Sequence, residues 1–443
     1  MARILLGITG VFAALIVGVA SGLLDLLASD HRVARGEAMG SLAAYWVVTV
    51  LFVIIVSFAA HHWRDLLLAL VALLVAGGLA EATLRLLHTP WGLPRFAAVR
   101  STEYHHIYPP NREMFQGVFD EHPVVIRTNE DGLRTGYTSE QFRRYHDRVV
   151  MLGDSFVFGY GVRQEAGLTA VMEQLLRDRL GEADVAVLNA GVPSYSPLLE
   201  RALLAGKLEE YKPTLVVLLV DVSDIGDDTQ YLSEGHIVDG RMVFDPRVKP
   251  SAYHGALFEL IQRVSPSIPW GSPPVHALTY PFRVARRGQP KKDYDYYKFS
   301  VTVGQAIEKN RFFIYRHPLE ETRPYFARTL ENINAVAAEA ERLHARFLLA
   351  VNPRYHHWNP KESPENWEHD YALDEPYQYE YFRFFDEARA RVAYPVFSLL
   401  PAFKATREFP LVFKEDPHWN ERGNAFAARV LVDHLLETRM IGP

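Results

Sequence analysis

The chain has 443 residues, 49% of them hydrophobic, with 47 Lys and Arg against 53 Asp and Glu for a formal charge of −6. That balance excludes a globally basic nucleic-acid binder. The absence of cysteine excludes disulfides, a thiol nucleophile, thiolate zinc sites and cysteine-held iron–sulfur clusters.

In chain order, residues 4–24 and 38–63 carry no Asp, Glu, Lys or Arg. Each is long enough to cross a hydrocarbon core of about 30 Å at about 1.5 Å per residue. A third apolar run, 66–80, lies between Asp65 and Glu81 and reaches spanning length only when extended to Leu87. The extension takes in Glu81 and Arg85, an i,i+4 pair that partly neutralises itself near an interface. A re-entrant or buried helix is the alternative for this run, and a signal sequence the alternative for 4–24. The n-region is only Met-Ala-Arg and two more segments follow, so residues 1–89 are expected to form a bilayer anchor of three transmembrane helices. Arg3 and Arg64 on one side and Arg32 and Arg35 on the other leave the orientation undecided on charge alone.

From residue 90 proline, charge and aromatics rise. Residues 90–145 read as a polar approach segment packing on the domain that follows. It holds an apolar strand, Val124–Ile126, and a turn at Asn129-Glu-Asp-Gly132. Within 146–443, strand-like apolar runs fall at 148–152, 185–188, 215–220, 347–351 and 396–399. Helical periodicity falls at 166–180, 197–210, 324–345, 376–391 and 422–438. Continuous apolar strands alternating with amphipathic helices predict a three-layer α/β/α domain with a parallel sheet covered on both faces. Residues 225–320 break the alternation and read as an insertion over one end of the sheet. They contain a hairpin at His236–Phe244 and a basic, tyrosine-rich patch at 286–297.

Ligands of open parallel sheets bind beyond the carboxyl ends of the strands. The first such end reads Gly153-Asp154-Ser155, placing a serine where a helix should begin, either as a simple cap or as a reactive hydroxyl. The second reads Asn189-Ala190-Gly191, where glycine can present its N–H to a ligand. The third, after Val220, leaves Asp221 and Asp224 near the same edge, and the fourth is followed by Arg354 and Tyr355, candidates for substrate contact. Near the C-terminus Glu415-Asp416-Pro-His418 precedes the last helix. A histidine there can serve as base to Ser155, with a carboxylate holding its ring. The His-His pairs at 61–62, 105–106 and 356–357 lack metal-ligand spacing and are assigned to interface or surface roles.

Gly153-Asp154-Ser155, Asn189-Ala190-Gly191 and Asp416-Pro-His418-Trp-Asn-x-x-Gly423 together resemble the SGNH, or GDSL-type, hydrolase superfamily. Asn129-Glu-Asp-Gly132-Leu-Arg134 resembles the segment preceding Gly-Asp-Ser in membrane-anchored bacterial members. The resemblance implies a flavodoxin-like fold, Ser155 as nucleophile, His418 as base and Asp416 as its orienter, with Glu415 as second choice. It implies the N–H groups of Ser155 and Gly191 as oxyanion donors, with Asp154, Asn189, Asp221 and Asp224 in support. It implies no cofactor and no metal. The substrate class would be O-acyl, chiefly O-acetyl, esters of envelope or exported polysaccharide, handled by an esterase or by a transferase with a membrane acyl-donor partner. The catalytic domain would then face the outside of a bacterial inner membrane. One departure is Val220 where the family carries an oxyanion asparagine, and it keeps open a non-catalytic glycan-binding or assembly role on the same fold.

Overall fold

A computed structural model describes residues 62–86, 93–94, 96–120, 122–181, 184–238, 241–244, 300–364, 366, 368 and 375–442. The expected span 4–24, nearly all of 38–63, and the basic patch 286–297 lie outside the described residues. The chain divides into two compact units, Met1–Ala80 and Glu81–Pro443.

Five apolar segments form the central sheet: β1 (Asp147–Gly153), β2 (Val185–Asn189), β3 (Leu215–Val220), β4 (Arg346–Val351) and β5 (Val396–Ser398). All neighbours pair in parallel, in the order β2-β1-β3-β4-β5. The helices between them are α1 (Leu168–Arg179), α2 (Pro197–Gly206), α3 (Leu319–Arg342) and α4 (Glu380–Arg389), and α5 (Glu421–Glu437) closes the domain. Side chains alternate along a strand, so each face of the sheet takes its own core. Val149 and Met151 of β1 pack with Met172 and Leu176 of α1 and Leu431 and Leu435 of α5. Val150 and Leu152 join the opposite core with Leu203 of α2 and Ile333 and Val336 of α3. This is the predicted α/β/α sandwich, and burial on both faces is why its strands read as unbroken apolar runs. The direction of winding reverses beside β1, so the crevice at the carboxyl ends of β1 and β3 is the topological switch point.

The segment expected as an insertion is in part core. Residues Asp224–Glu234 form a helix directly after β3, with Ile225 and Tyr231 fully buried. Its polar sequence, Asp-Ile-Gly-Asp-Asp-Thr, hid it from an apolar-periodicity reading. The hairpin expected at His236–Phe244 forms from Gly235–Val238 and Arg241–Phe244. A second hairpin, Val301–Val303 with Ala306–Glu308, follows before α3.

The approach segment carries its own antiparallel hairpin, Glu113–Phe119 with His122–Arg127. Met114, Phe119, Val124 and Ile126 from it enter the α2–α3 core. The Asn129–Arg134 turn then delivers a cation inward. Asn129 Oδ1 accepts the N–H groups of Asp131 and Leu133, each at 3.0 Å. Gly132 has φ +79°, and a Cβ there would stand 2.1 Å from the Tyr108 carbonyl oxygen, so only glycine fits. Arg134 ends up 2% exposed. It donates to the carbonyls of Phe158 at 2.8 Å, Gly159 at 2.5 Å and Val162 at 2.6 Å. Its guanidinium also lies over the Phe158 ring, 5.2 Å from the centroid.

Residues Trp63–Leu86 form one 24-residue helix, so the third apolar run is helical. Leu67, Leu68, Leu70, Val71, Leu73, Val75 and Leu79 are each about half or more exposed on it. Among the described residues no helix is long and apolar enough to cross a membrane.

Arg134→Met should destabilise the protein by about 3 kcal/mol or more: hydrogen bonds from a charged donor contribute about 1.5–3 kcal/mol each and three are lost together, partly offset because the guanidinium no longer has to be desolvated. Urea unfolding of the full chain in detergent would measure it. A loss below about 1 kcal/mol would show that water replaces the guanidinium.

Candidate active site

β1 ends at Gly153, where a Cβ would meet Val157 Cγ2 at 2.4 Å and the Leu219 carbonyl at 3.0 Å. The missing side chain lets the chain turn straight into the short helix Ser155–Phe158. Asp154 caps that helix by accepting the Phe156 N–H at 2.9 Å. Ser155 is therefore the first helical residue, buried but for 9% of its surface. Gly159 ends the helix in the left-handed conformation, φ +77°.

The other half of the site comes from the loop before α5. Asn420 caps α5 by accepting the Gly423 N–H at 3.0 Å. Its amide also donates to the carbonyls of Pro410 and Val412, at 3.1 and 3.0 Å. Trp419 is buried against Phe156 and Phe403. Between these anchors, Asp416 Oδ1 accepts the backbone N–H of His418 at 3.0 Å and its ring Nδ1–H at 2.5 Å. The two-residue spacing works because one carboxylate oxygen closes the turn and orients the ring together. Nδ1 is thus a donor, and Nε2 turns its lone pair toward Ser155 Oγ at 2.7 Å. Both ring nitrogens are occupied, which leaves none for Glu415.

The His418 ring stands between Phe156 and Tyr160, with centroids 5.2 and 4.8 Å away. Its side chain keeps 15% of its surface open. Burial works against a charged ring here, but the Asp416 carboxylate, helped by Asp154, outweighs it and holds His418 above its ordinary 6.5. Asp154 itself is pushed up to about 6 by burial and then by Asp221. Its Oδ2 lies 3.3 Å from Ser155 Oγ.

The remaining sequence candidates are placed as follows. Asn189 holds the serine loop: its amide donates to the Val157 carbonyl at 2.9 Å, and its Oδ1 accepts the Gly191 N–H at 3.0 Å. The N–H expected as a second oxyanion donor is therefore already engaged by a side chain two residues away. Asp221 is a buried acceptor of Arg354 Nε and Nη2, at 3.0 and 2.6 Å, and of the Ser223 hydroxyl at 2.9 Å. Burial alone would raise Asp221, but Arg354 reverses this and lowers it. Asp224 Oδ2 accepts the Asp221 N–H at 2.8 Å, and burial followed by Glu200 pushes Asp224 far above the usual carboxylate range.

Arg354 and Tyr355 need correction as substrate contacts. They are 2% and 1% exposed. Arg354 also pairs with Glu368 and lies over Phe156 and Phe312, with centroids 5.5 and 4.9 Å away. A cation so enclosed supports the site from behind. Val220, in the place of the expected asparagine, is buried apolar core. Two donors near it, Ser223 Oγ and Asn352 Nδ2, both turn to Asp221. The histidine pairs 105–106 and 356–357 are buried rather than superficial.

Sequence reasoning missed Glu362 and Ser363. Glu362 accepts the N–H groups of Leu411 and Val412, and Ser363 donates to the Phe413 carbonyl, so together they pin the histidine loop. They sit in an ordinary polar stretch, Lys361-Glu-Ser-Pro, with no motif to reveal them.

Fold and site together define a three-layer α/β/α domain with a serine–histidine–aspartate hydrogen-bonded chain at the carboxyl edge of its sheet. No family model matches the chain, and no curated protein matches it. Among solved structures it is similar to TesA, at 14% identity and TM-score 0.32, over 66% of this chain and 99% of that one. A lipolytic protein of the G-D-S-L family from Desulfitobacterium hafniense matches at 16% identity and TM-score 0.30, over 64% of this chain and 98% of that one. A catalytic mutant of Axe2, an acetylxylan esterase from Geobacillus stearothermophilus, matches at 12% identity and TM-score 0.34, over 66% and 94%.

The His418 imidazole should titrate above 6.5 by nitrogen-detected NMR. Asp416→Asn removes the outweighing carboxylate, so burial then dominates and the titration should fall below 6.5. An unmoved titration would mean that Asp416 does not govern the ring.

Proposed function

We propose that the chain is a membrane-anchored serine esterase or O-acyltransferase acting on O-acetyl groups of envelope or exported polysaccharide. The observation that carries this reading is the continuous chain Ser155 Oγ to His418 Nε2 at 2.7 Å and His418 Nδ1 to Asp416 at 2.5 Å. A serine hydroxyl is a weak nucleophile until an adjacent base takes its proton. Here Ser155 Oγ attacks the ester carbonyl while His418 Nε2 accepts the hydroxyl proton, and Asp416 stabilises the imidazolium. The tetrahedral intermediate collapses as the C–O bond to the sugar breaks and His418 returns the proton to the leaving oxygen. Water or a second sugar hydroxyl then attacks the acyl-serine by the same proton relay in reverse. The Ser155 N–H, at the first position of its helix, is the oxyanion donor in this reading, and the Gly191 N–H contributes by sharing itself with Asn189.

Two features support an anchor: the charge-free runs at 4–24 and 38–63, and the apolar side chains displayed along Trp63–Leu86; the outward facing follows from the proposed substrate. The engaged Gly191 N–H and the Val220 substitution favour the second reading, a glycan-binding or assembly component without turnover.

With the full chain in detergent, p-nitrophenyl acetate and acetylated oligosaccharide should be hydrolysed, and a fluorophosphonate should label Ser155. Ser155→Ala should lower kcat on the order of 10³-fold or more and abolish labelling. Turnover that survives in a folded Ser155→Ala protein would eliminate this site. A folded wild type that neither turns over nor labels would eliminate the catalytic reading in favour of the binding one. Partition of acetyl between water and an added sugar acceptor separates esterase from transferase.

A phosphatase reporter joined after Pro443 should be active outside the cytoplasm. Activity of a cytoplasm-only reporter there would sink the envelope placement.

A further inference from the structure

Beside the reacting groups lies a cavity of about 280 Å3 that the mechanism leaves unused. It opens between the approach hairpin Glu113–Phe119/His122–Arg127 and the first turn of α5. One aromatic ring separates it from His418: Tyr160 packs at a tilt of 35° against the histidine and meets Phe119, which lines the cavity, at 5.7 Å. Its other end reaches Asn420 and Glu421, two and three residues beyond the histidine. Gly161 makes the wall possible. A Cβ there would stand 2.8 Å from the Phe119 ring and 2.9 Å from the Phe413 ring, at φ +80°.

We propose that this cavity is a carbohydrate subsite, holding the sugar ring next to the one whose ester Ser155 attacks. This deepens the esterase reading and rests on it for the identity of the neighbouring ring. The lining has the composition that a sugar needs. Phe119 and Phe413, each less than a tenth exposed, contribute small apolar areas to the cavity floor, and His122, Asp120 and Arg422 at the rim supply exposed hydrogen-bonding groups for the hydroxyls of a pyranose. Arg163 is already locked to Glu421 by two hydrogen bonds, at 2.7 and 3.0 Å, a preformed planar edge that costs no ordering on binding. Charge selects the ligand: Arg163 and Arg422 are balanced by Glu421 and Asp120, so the subsite suits an uncharged, hydroxyl-rich ring. The volume lies just under the range of about 300–1,000 Å3 for small-molecule pockets, room for a single ring.

The test separates this subsite from the chemistry by measuring binding without turnover. Full-length Ser155→Ala protein in detergent is titrated calorimetrically with xylotriose and with a galacturonic acid trimer. Binding of xylotriose, weakened about tenfold or more when His122→Trp fills the mouth of the cavity, is the expected result. Circular dichroism confirms that the double variant is folded, and the smaller His122→Ala should weaken binding less than His122→Trp. Tighter binding of the acidic trimer would overturn the neutral-sugar assignment. Xylotriose binding indifferent to both His122 substitutions, or no binding to the folded protein, would overturn the subsite. In the otherwise wild-type chain, His122→Trp should lower kcat/KM for acetylated xylotriose relative to p-nitrophenyl acetate by about tenfold. If Ser155-dependent turnover is absent while xylotriose binding persists and responds to His122, the esterase reading fails and the sugar site stands.

Discussion

Ser155 and His418 are 263 residues apart in the chain and 2.7 Å apart in space, and much of the domain serves to hold that one contact. The serine side is fixed by the absent Cβ of Gly153, the Asp154 cap and the Arg134 clasp on the carbonyls behind the short helix. The histidine side is fixed by Asn420, Glu362 and Ser363 and by the seating of Trp419. Gly423 closes the arrangement, since a Cβ there would stand 1.9 Å from the Leu411 carbonyl. The neutral hydrogen bonds among these contribute only about 1 kcal/mol each to stability, so their effect is mainly geometric. In the proposed reaction, a pair held by many short constraints starts close to its productive geometry.

The electrostatics behind the serine follow a second chain of dependence. Asp154, Glu200, Asp221, Asp224, Asp227 and Asp228 are all buried, and six ionised carboxylates could not share so dry a region. Arg354 keeps Asp221 low and Arg311 pairs with Asp227 at 3.1 Å. Glu200, with neither carboxyl oxygen hydrogen-bonded, and Asp224 are pushed far upward, first by burial. Asp221 in turn raises Asp154, and Asp154 adds to the upward pull on His418. Arg354, enclosed and turned away from the crevice, thus bears on His418 both directly and through two intervening carboxylates.

The sheet was legible because each strand is buried on both faces and reads as an uninterrupted apolar run, as in Leu215–Val220. Ser155, His418 and Asp416 were legible because their spacing forms local motifs at strand and helix ends. What escaped depends on long-range geometry. Arg354 looks in sequence like any residue beyond a strand on the ligand edge, and only the fold shows Asp221 and Glu368 closing around it. The Asp224–Glu234 helix escaped because its buried face carries carboxylates, which an apolar pattern cannot register. The Gly191 N–H was read as open because a backbone donor's partner, here the Asn189 side chain, is set by χ angles that sequence does not display.

The hairpin before the domain changes how the active edge divides its work. The strand order brings the ends of β1 and β3 together at the switch point, and α5, last in the chain, packs beside α1 on the same side of the sheet. Those elements place the reacting atoms but leave the outer face of the His418 ring open. Tyr160 covers that face, and Phe119, contributed by the hairpin, packs against Tyr160. Phe119 meets Phe413 as well, with centroids 5.5 Å apart, so the hairpin also braces the loop that carries the histidine. Changes at Phe119 can therefore alter what stands next to His418. The edge is thus assembled from the sheet and from a hairpin whose inner side chains share its core, Met114 and Ile126 among them.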